Sequence, residues 1–221
     1  MRFHFVVSFD GTVTLEDTTD VLLGQFADPF WLDVEAEWLS GRIGSRECLA
    51  RQMALLRATP QQFDAVLAAS AIDPDFATFV NLARHSGATV EIVSDGFDRC
   101  ILPILERAGV YLPVASNRLR SEGTDEWVAE FHASTGYCRS ASGICKCRAA
   151  NAGDRLFVLI GAGRSDFCLA SRADIVLAKG QLAAYCAEQN FPFEPMACFA
   201  DVLEWYQPFL AKTKLRSAVY Q

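Results

Sequence analysis

No stretch of this 221-residue chain is long and apolar enough to cross a membrane. The apolar run Phe3–Val7 breaks at Ser8 and Asp10 and is too short for an export signal, so a cytoplasmic protein without a membrane partner is expected. Basic residues are in deficit: 20 Lys and Arg stand against 27 Asp and Glu, for a formal net charge of −7. Nucleic-acid binding needs clustered Lys and Arg, so no nucleic-acid partner is expected. A small anion is not excluded, because a local pocket can be positive in an acidic protein. Internal repeats and low-complexity segments are missing as well. With 51% apolar and 21% charged residues, disorder is excluded and a sizeable core can form.

Cysteine, by contrast, is plentiful, with eight residues. Without an export signal these should stay mostly reduced. Cys48, Cys100, Cys168, Cys186 and Cys198 are scattered and read as small core residues. Cys138, Cys145 and Cys147 cluster near His132 and have the residue types of a zinc site. Their spacing matches no standard zinc motif, so a reduced cysteine-rich loop, or a disulfide formed on purification, is the better reading.

Along the chain, residues 2–8 read as a buried strand ending in the loop Asp10-Gly11-Thr12. Residues 16–86 turn helical. Thr59-Pro60-Gln61-Gln62 has the form of a capping box with proline at the first helical position. Asp73-Pro74 repeats the cap-plus-proline device, and Ser86-Gly87 is a helix stop. Residues 88–94 predict a second strand, followed by a helix to Gly109 that Pro103 can bend. Residues 112–143 suit a hairpin insertion or a loop. Residues 155–160 are the clearest buried strand; Gly161-Ala162-Gly163 then leads into a helix around Ser165–Arg172. A short strand at 174–178, a helix after Gly180 and a helix over 199–210 complete the pattern.

Continuously apolar strands alternating with helices predict an α/β fold, a doubly wound parallel sheet of Rossmann-like type. The helical stretch after the first strand is too large for one crossover. It is expected to be an inserted helical cap over 16–75, with the core formed by 1–15 and 76–221. Ligands of such sheets bind at the carboxyl ends of the strands. Those ends carry Ser8-Phe9-Asp10-Gly11-Thr12, Ser94-Asp95-Gly96 and the run Gly161 to Asp166.

These segments, with Lys146 between the last two, resemble the four motifs of the haloacid dehalogenase superfamily. The motifs there are Asp-x-Asp-Gly-Thr, a strand ending in Ser or Thr, a Lys, and Gly-Asp followed by a second Asp. The likeness covers nearly the whole chain. Its helical segment after the first motif is similar to the phosphoserine phosphatase subgroup. The stretch from Cys138 to Lys146, with Gly161-x-Gly163-Arg164-Ser165-Asp166, resembles the methionine-salvage branch, which acts on 2-hydroxy-3-keto-5-methylthiopentenyl-1-phosphate. Ser8 and Ala162 depart from the pattern: they stand where the family has its nucleophile and a metal-binding Asp.

The resemblance implies roles residue by residue. Asp10 takes the general acid/base position, and Ser8 the substituted nucleophile position. Phe9, Asp10, Ser94, Asp95, Gly96 and Lys146 would surround the phosphate. Mg²⁺, the cofactor of active relatives, would be left with Asp166, the Asp10 backbone and the substituted position Ala162. Mg²⁺ wants charged oxygen ligands, so no cofactor is expected here. Ser8 would need deprotonation and has no obvious base, although Asp10 lies on the same side of the chain.

Read alone, each residue has a plainer role: Ser8 a small buried residue, Asp10 a turn, Ser94 or Asp95 a helix cap, Lys146 a solvated charge, Asp166 a first-turn acid. The four motifs in order favour the site. Phe26, Phe30, Trp31 and Trp38 are core packing or a lid over a ligand. Arg42, Arg46 and Arg51 are solvated or face a substrate anion. The expected function is a catalytically impaired phosphatase homologue that binds a phosphorylated small molecule or a protein partner. The alternative is an active phosphomonoesterase of phosphoserine or methylthiopentenyl-phosphate type.

Overall fold

The computed structural model describes residues 2–131, 141–149 and 152–219. One seven-stranded sheet organises them, in the order β4-β3-β2-β1-β5-β6-β7. The central strand is β1 (Phe3–Val7), with all five residues buried. β2 (Thr89–Phe97) and β5 (Leu156–Gly161) flank it in parallel, and Val7 is in register with both Ile92 and Ile160. That register aligns the carboxyl ends of the three strands. Ser8 continues the ladder, its N–H donating to Ile160 O at 2.9 Å. Ser8, Ser94 and Gly161 are thereby brought to one edge of the sheet. β6 (Ile175–Ala178) and the short β7 (Glu194–Pro195) extend it beyond β5.

Strand alternation splits the core into two layers. Phe3, Phe5 and Val7 point to one face, where Phe5 meets Phe79 and Tyr206 edge-on at 5.0 and 5.1 Å. These partners come from α5 (Phe76–His85) and α10 (Phe199–Val219). Val6 points to the other face and packs with Leu159, Leu182 and Cys186, the last two from α9 (Gly180–Gln189).

Between β1 and β2 run α1 (Thr18–Phe26), α2 (Trp31–Leu39), α3 (Ser45–Leu55), α4 (Pro60–Ala69) and α5. The capping box forms at α4: Gln62 N donates to Thr59 Oγ1 at 3.3 Å, and Thr59 N to Gln62 Oε1 at 2.9 Å. Asp73 behaves differently from its expected role as a cap directly before a helix. The helix begins only at Phe76, and buried Asp73 accepts from Asp75 N at 3.0 Å and from Phe199 N at 2.9 Å. It ties the start of α5 to the start of α10.

After β2, α6 (Asp98–Arg107) contains Pro103 and ends before Gly109, as its sequence predicts. Within residues 112–143, expected as a hairpin insertion or a loop, the described residues form a hairpin, β3 (Val114–Glu122) with β4 (Glu126–Glu130), that does not stand apart from the sheet; residues 132–140 lie outside the described residues. β3 pairs in parallel with β2 and so extends the main sheet. Trp127 on β4 stacks on Phe63 of α4 at 4.1 Å and donates Nε1–H to Ala58 O at 2.8 Å. The helical segment and the hairpin therefore share packing. α7 (Lys146–Ala149) precedes β5; after β5, a single 3₁₀ turn (Arg164–Asp166) leads into α8 (Phe167–Ala170). Among the described residues, no helix is long and apolar enough to cross a membrane.

Candidate functional site

A cavity of about 140 Å³ opens at the carboxyl ends of β1, β2 and β5. Its floor is Ser8, Asp10, Ser94, Asp95, Gly96 and the turn Gly163–Ser165; its roof comes from α1, α2 and α3. Lys146 lies just beneath, 1% exposed. Its ammonium donates to Asp166 Oδ1 at 2.6 Å and to Ser8 Oγ at 3.0 Å. Asp166 is 0% exposed, and its other oxygen accepts from the N–H groups of Ala162 at 3.2 Å and Gly163 at 3.3 Å. This packing needs glycine at 161, where an added Cβ would sit 2.5 Å from Asp166 Oδ2.

Asp10 is held in the loop after β1. Its Oδ1 accepts from the hydroxyl of Thr18 at 2.6 Å and from Thr18 N at 3.1 Å. Its other oxygen passes so close to Gly96 that a Cβ there would be 2.5 Å away. Burial raises the Asp10 carboxyl above the ordinary range, while the Thr18 bonds and the charge of Lys146 pull it back. Ser94 Oγ accepts from Gly96 N at 3.0 Å, so Ser94 and Gly96 form a local turn at the cavity floor. Ser94 and Asp95 both lie within β2, ahead of α6, and neither caps a helix.

The Phe9 side chain is buried in the core, and its carbonyl accepts from the N–H groups of Thr12, Val13 and Thr14, so any contact of Phe9 with a phosphate would run through its backbone N–H. Asp95 reaches the cavity wall but also steadies the approach to Lys146. Its Oδ1 accepts from Gly143 N at 3.0 Å and Ile144 N at 3.1 Å. Ala162 brings only a methyl group and its backbone: its N–H goes to Asp166 and its carbonyl accepts from Leu182 N.

Sequence reasoning missed the roof. Asp17 caps α1, accepting from Thr19 N at 2.9 Å and Asp20 N at 3.2 Å. Asp17, Asp20 and Glu35 all line the cavity. Asp17 and Asp20 are exposed at the mouth of the cavity. Burial, then the neighbouring charges of Asp10 and Asp20, pushes Asp17 well up. Burial, followed by the charges of Glu35 and Asp10, pushes Asp20 from 3.8 to about 6.

The Asp20 shift fixes a sign. The folded state holds the proton more tightly than the unfolded chain, so stability falls as pH rises through that window. Asp20→Asn is therefore expected to raise the melting temperature at about pH 7.5 and to leave it unchanged near pH 4. Thermal melts at the two pH values check this; an equal effect at both would contradict it.

Arg164 is the cation on the cavity wall, where Arg42, Arg46 and Arg51 were the candidates. Arg164 Nη1 donates to Leu39 O at 3.3 Å, and its guanidinium lies 6.0 Å over Trp38. Arg51 is paired with Glu37 at 2.8 Å, and Arg46 lies 5.2 Å over Phe131; none of the three lines the cavity. Of the expected aromatic set, Trp38 reaches the cavity and donates to Ser45 Oγ at 3.0 Å. Phe26 and Trp31 pack on the core, and Phe30 is half exposed.

The magnesium that the resemblance implies does not fit these residues. Position 8 offers a hydroxyl already facing an ammonium, and position 162 offers a methyl group. Asp166 has both oxygens engaged. Among the described residues, no three His, Cys, Asp or Glu side chains converge as a metal set. That statement covers Cys145 and Cys147, the latter donating to Cys168 O at 3.3 Å. Cys138 and His132 lie outside the described residues.

Comparison with known proteins agrees with the geometry. The family model for haloacid dehalogenase-like hydrolases matches residues 5–171. The 2-hydroxy-3-keto-5-methylthiopentenyl-1-phosphate phosphatase of Geobacillus kaustophilus is 30% identical over 206 residues, covering 90% of this chain and 93% of that protein. The protein of the same name from Exiguobacterium sp. is 29% identical, covering 91% and 96%. Among solved structures, a phospho-aspartyl intermediate analogue of phosphoserine phosphatase superposes with a TM-score of 0.67 at 16% identity, covering 92% of this chain and 98% of that one. A second phosphoserine phosphatase structure, with substrate bound, also gives 0.67, at 17% identity, and shares the fold. With the motifs in order on aligned strand ends and the family model spanning β1 to α8, this chain belongs to the haloacid dehalogenase-like hydrolases.

Proposed function

We infer that this protein is a phosphatase-fold binder: it takes a phosphorylated small molecule into the cavity above Ser8 without metal-assisted hydrolysis. The observation that carries this reading is the pair Ser8 and Ala162: Ser8 lines the cavity, Ala162 follows β5 directly before the lining turn Gly163–Ser165, and neither brings a carboxylate. A dianionic phosphate repels an attacking anion, and a divalent cation ordinarily offsets that repulsion. Here the cation beneath the floor is Lys146, and Asp166 engages it.

The remaining groups suit binding. Ser8 Oγ accepts from Lys146, so its own hydroxyl hydrogen is free to donate to a phosphate oxygen. The Ser94 hydroxyl accepts from Gly96 N and is likewise free to donate. Arg164 adds a positive charge at the same wall. A cavity of about 140 Å³ favours a small metabolite over a protein segment. The relatives named for a methylthiopentenyl phosphate, and the fold neighbours named for phosphoserine, support a phosphomonoester as the ligand class.

A second reading keeps turnover, and Asp10 favours it. Its carboxyl is raised by burial and stands beside Ser8 at the cavity floor, as a general acid/base would. In that case Asp10 would take the Ser8 proton and the protein would pass through a phosphoserine.

Purified protein assayed with Mg²⁺ on phosphomonoesters, including phosphoserine, separates the two. The binder releases phosphate more than about a thousandfold more slowly than a typical enzyme at roughly 10 per second. Ordinary turnover, or a phosphoserine trapped at position 8, would remove this reading.

A further inference from the structure

The roof of the cavity differs in kind from its floor: its polar groups are mostly hydrogen-bond acceptors. Gln52, on α3, lines the cavity and is 2% exposed. Its Nε2 donates to Glu35 Oε2 at 2.9 Å. A carboxylate offers no proton, so the amide nitrogen must face Glu35 and the amide oxygen must face away. That oxygen has no hydrogen-bond partner among the described residues. Glu35 receives Gln52 and the Cys48 thiol on Oε2 alone, which leaves Oε1 open. Asp20 lines the same wall. Thr19, 6% exposed, also lines the cavity, and its hydroxyl makes no hydrogen bond among the described residues. No Lys or Arg of α1, α2 or α3 lines the cavity; Arg164 comes from the strand side.

The Gln52, Glu35 and Asp20 oxygens are open acceptors facing the cavity, and the two neighbouring carboxylates repel one another. One kind of group meets both features, a cation bearing several N–H bonds. We propose that this roof receives a primary ammonium, and that the ligand is a small phosphorylated amine carrying no carboxylate. A carboxylate beside the ammonium would face Asp20 and Glu35, while Arg164, the Arg that lines the cavity, is assigned to the phosphate in the reading above. The proposal rests on the phosphate-binding reading above and names the other end of the same ligand.

Calorimetric titration of the whole protein with four probes tests both ends separately. The probes are O-phosphoethanolamine, ethyl phosphate, ethanolamine and phosphoserine. O-phosphoethanolamine is expected to bind at least about tenfold more tightly than ethyl phosphate, and more tightly than phosphoserine. In Glu35→Gln, and separately in Asp20→Asn, the ratio of the first two affinities falls toward one. Equal binding of ethyl phosphate and O-phosphoethanolamine overturns the ammonium site and leaves the phosphate reading standing. Binding of ethanolamine without ethyl phosphate overturns the phosphate reading and leaves an amine site. Tighter binding of phosphoserine overturns the exclusion of a carboxylate, and binding of none of the probes overturns both ends.

Discussion

Ser8→Asp combined with Ala162→Asp is expected to turn this chain into a magnesium-dependent phosphatase, with phosphate release rising by about a thousandfold or more. Both positions are strand-end sites whose surroundings are already arranged. Ser8 hangs from the β5 ladder through its N–H bond to Ile160 O at 2.9 Å. A carboxylate there would face the Lys146 ammonium, which now lies 3.0 Å from Ser8 Oγ. A carboxylate needs no deprotonation near neutral pH, which removes the problem of a base for Ser8. An Asp at 162 would supply the second charged oxygen that Mg²⁺ prefers. Metal and nucleophile act as a unit, so each single variant should recover far less than the pair. Release of phosphate from a phosphoester panel with and without Mg²⁺ gives the answer. A double variant as inert as the parent would mean that the rest of the pocket has drifted too.

Asp166→Ala is expected to destabilise the protein by about 3–5 kcal/mol, the range for breaking one partner out of a buried ion pair. Lys146 is 1% exposed and Asp166 0%, and they meet at 2.6 Å. Removing Asp166 leaves a buried ammonium with only the Ser8 hydroxyl as partner among the described residues. It also frees the N–H groups of Ala162 and Gly163, which no longer find an acceptor. Replacing both charges, as Lys146→Met with Asp166→Leu, should recover much of the loss, because the apolar pair has no desolvation cost. Urea denaturation with an unchanged slope measures both effects. A loss under about 1 kcal/mol for Asp166→Ala would contradict a sealed pair.

The floor of the site was legible in the sequence because strand ends announce themselves. An apolar run that stops at Ser8 or Ser94 marks where a parallel sheet delivers its residues, and the register of β1 with β2 and β5 makes these ends neighbours. The capping box at Thr59 was legible for a similar reason: every bond in it is local. The roof was not. Asp17, Asp20, Glu35 and Gln52 come from three helices, and nothing in their spacing says that they share a cavity. Arg46 and Arg51 look as eligible as Arg164 in the sequence. Only the fold turns Arg51 onto Glu37 and Arg46 onto Phe131. Asp73 was misjudged because its second partner, Phe199 N, is distant along the chain. Phe9, although it sits inside the first motif, points into the core, where strand alternation sends it opposite to Ser8 and Asp10.

Among these consequences, the metal question bears most directly on function. Titration of the unaltered protein with Mg²⁺ by calorimetry, alone and with a phosphate mimic present, tests it without reference to any substrate. With a hydroxyl at position 8, a methyl group at position 162 and Asp166 already paired with Lys146, the protein should give no saturable heat at millimolar ion. Saturable binding that disappears in Asp166→Asn would place a divalent ion beside Ser8 and contradict the reading of this protein as a binder.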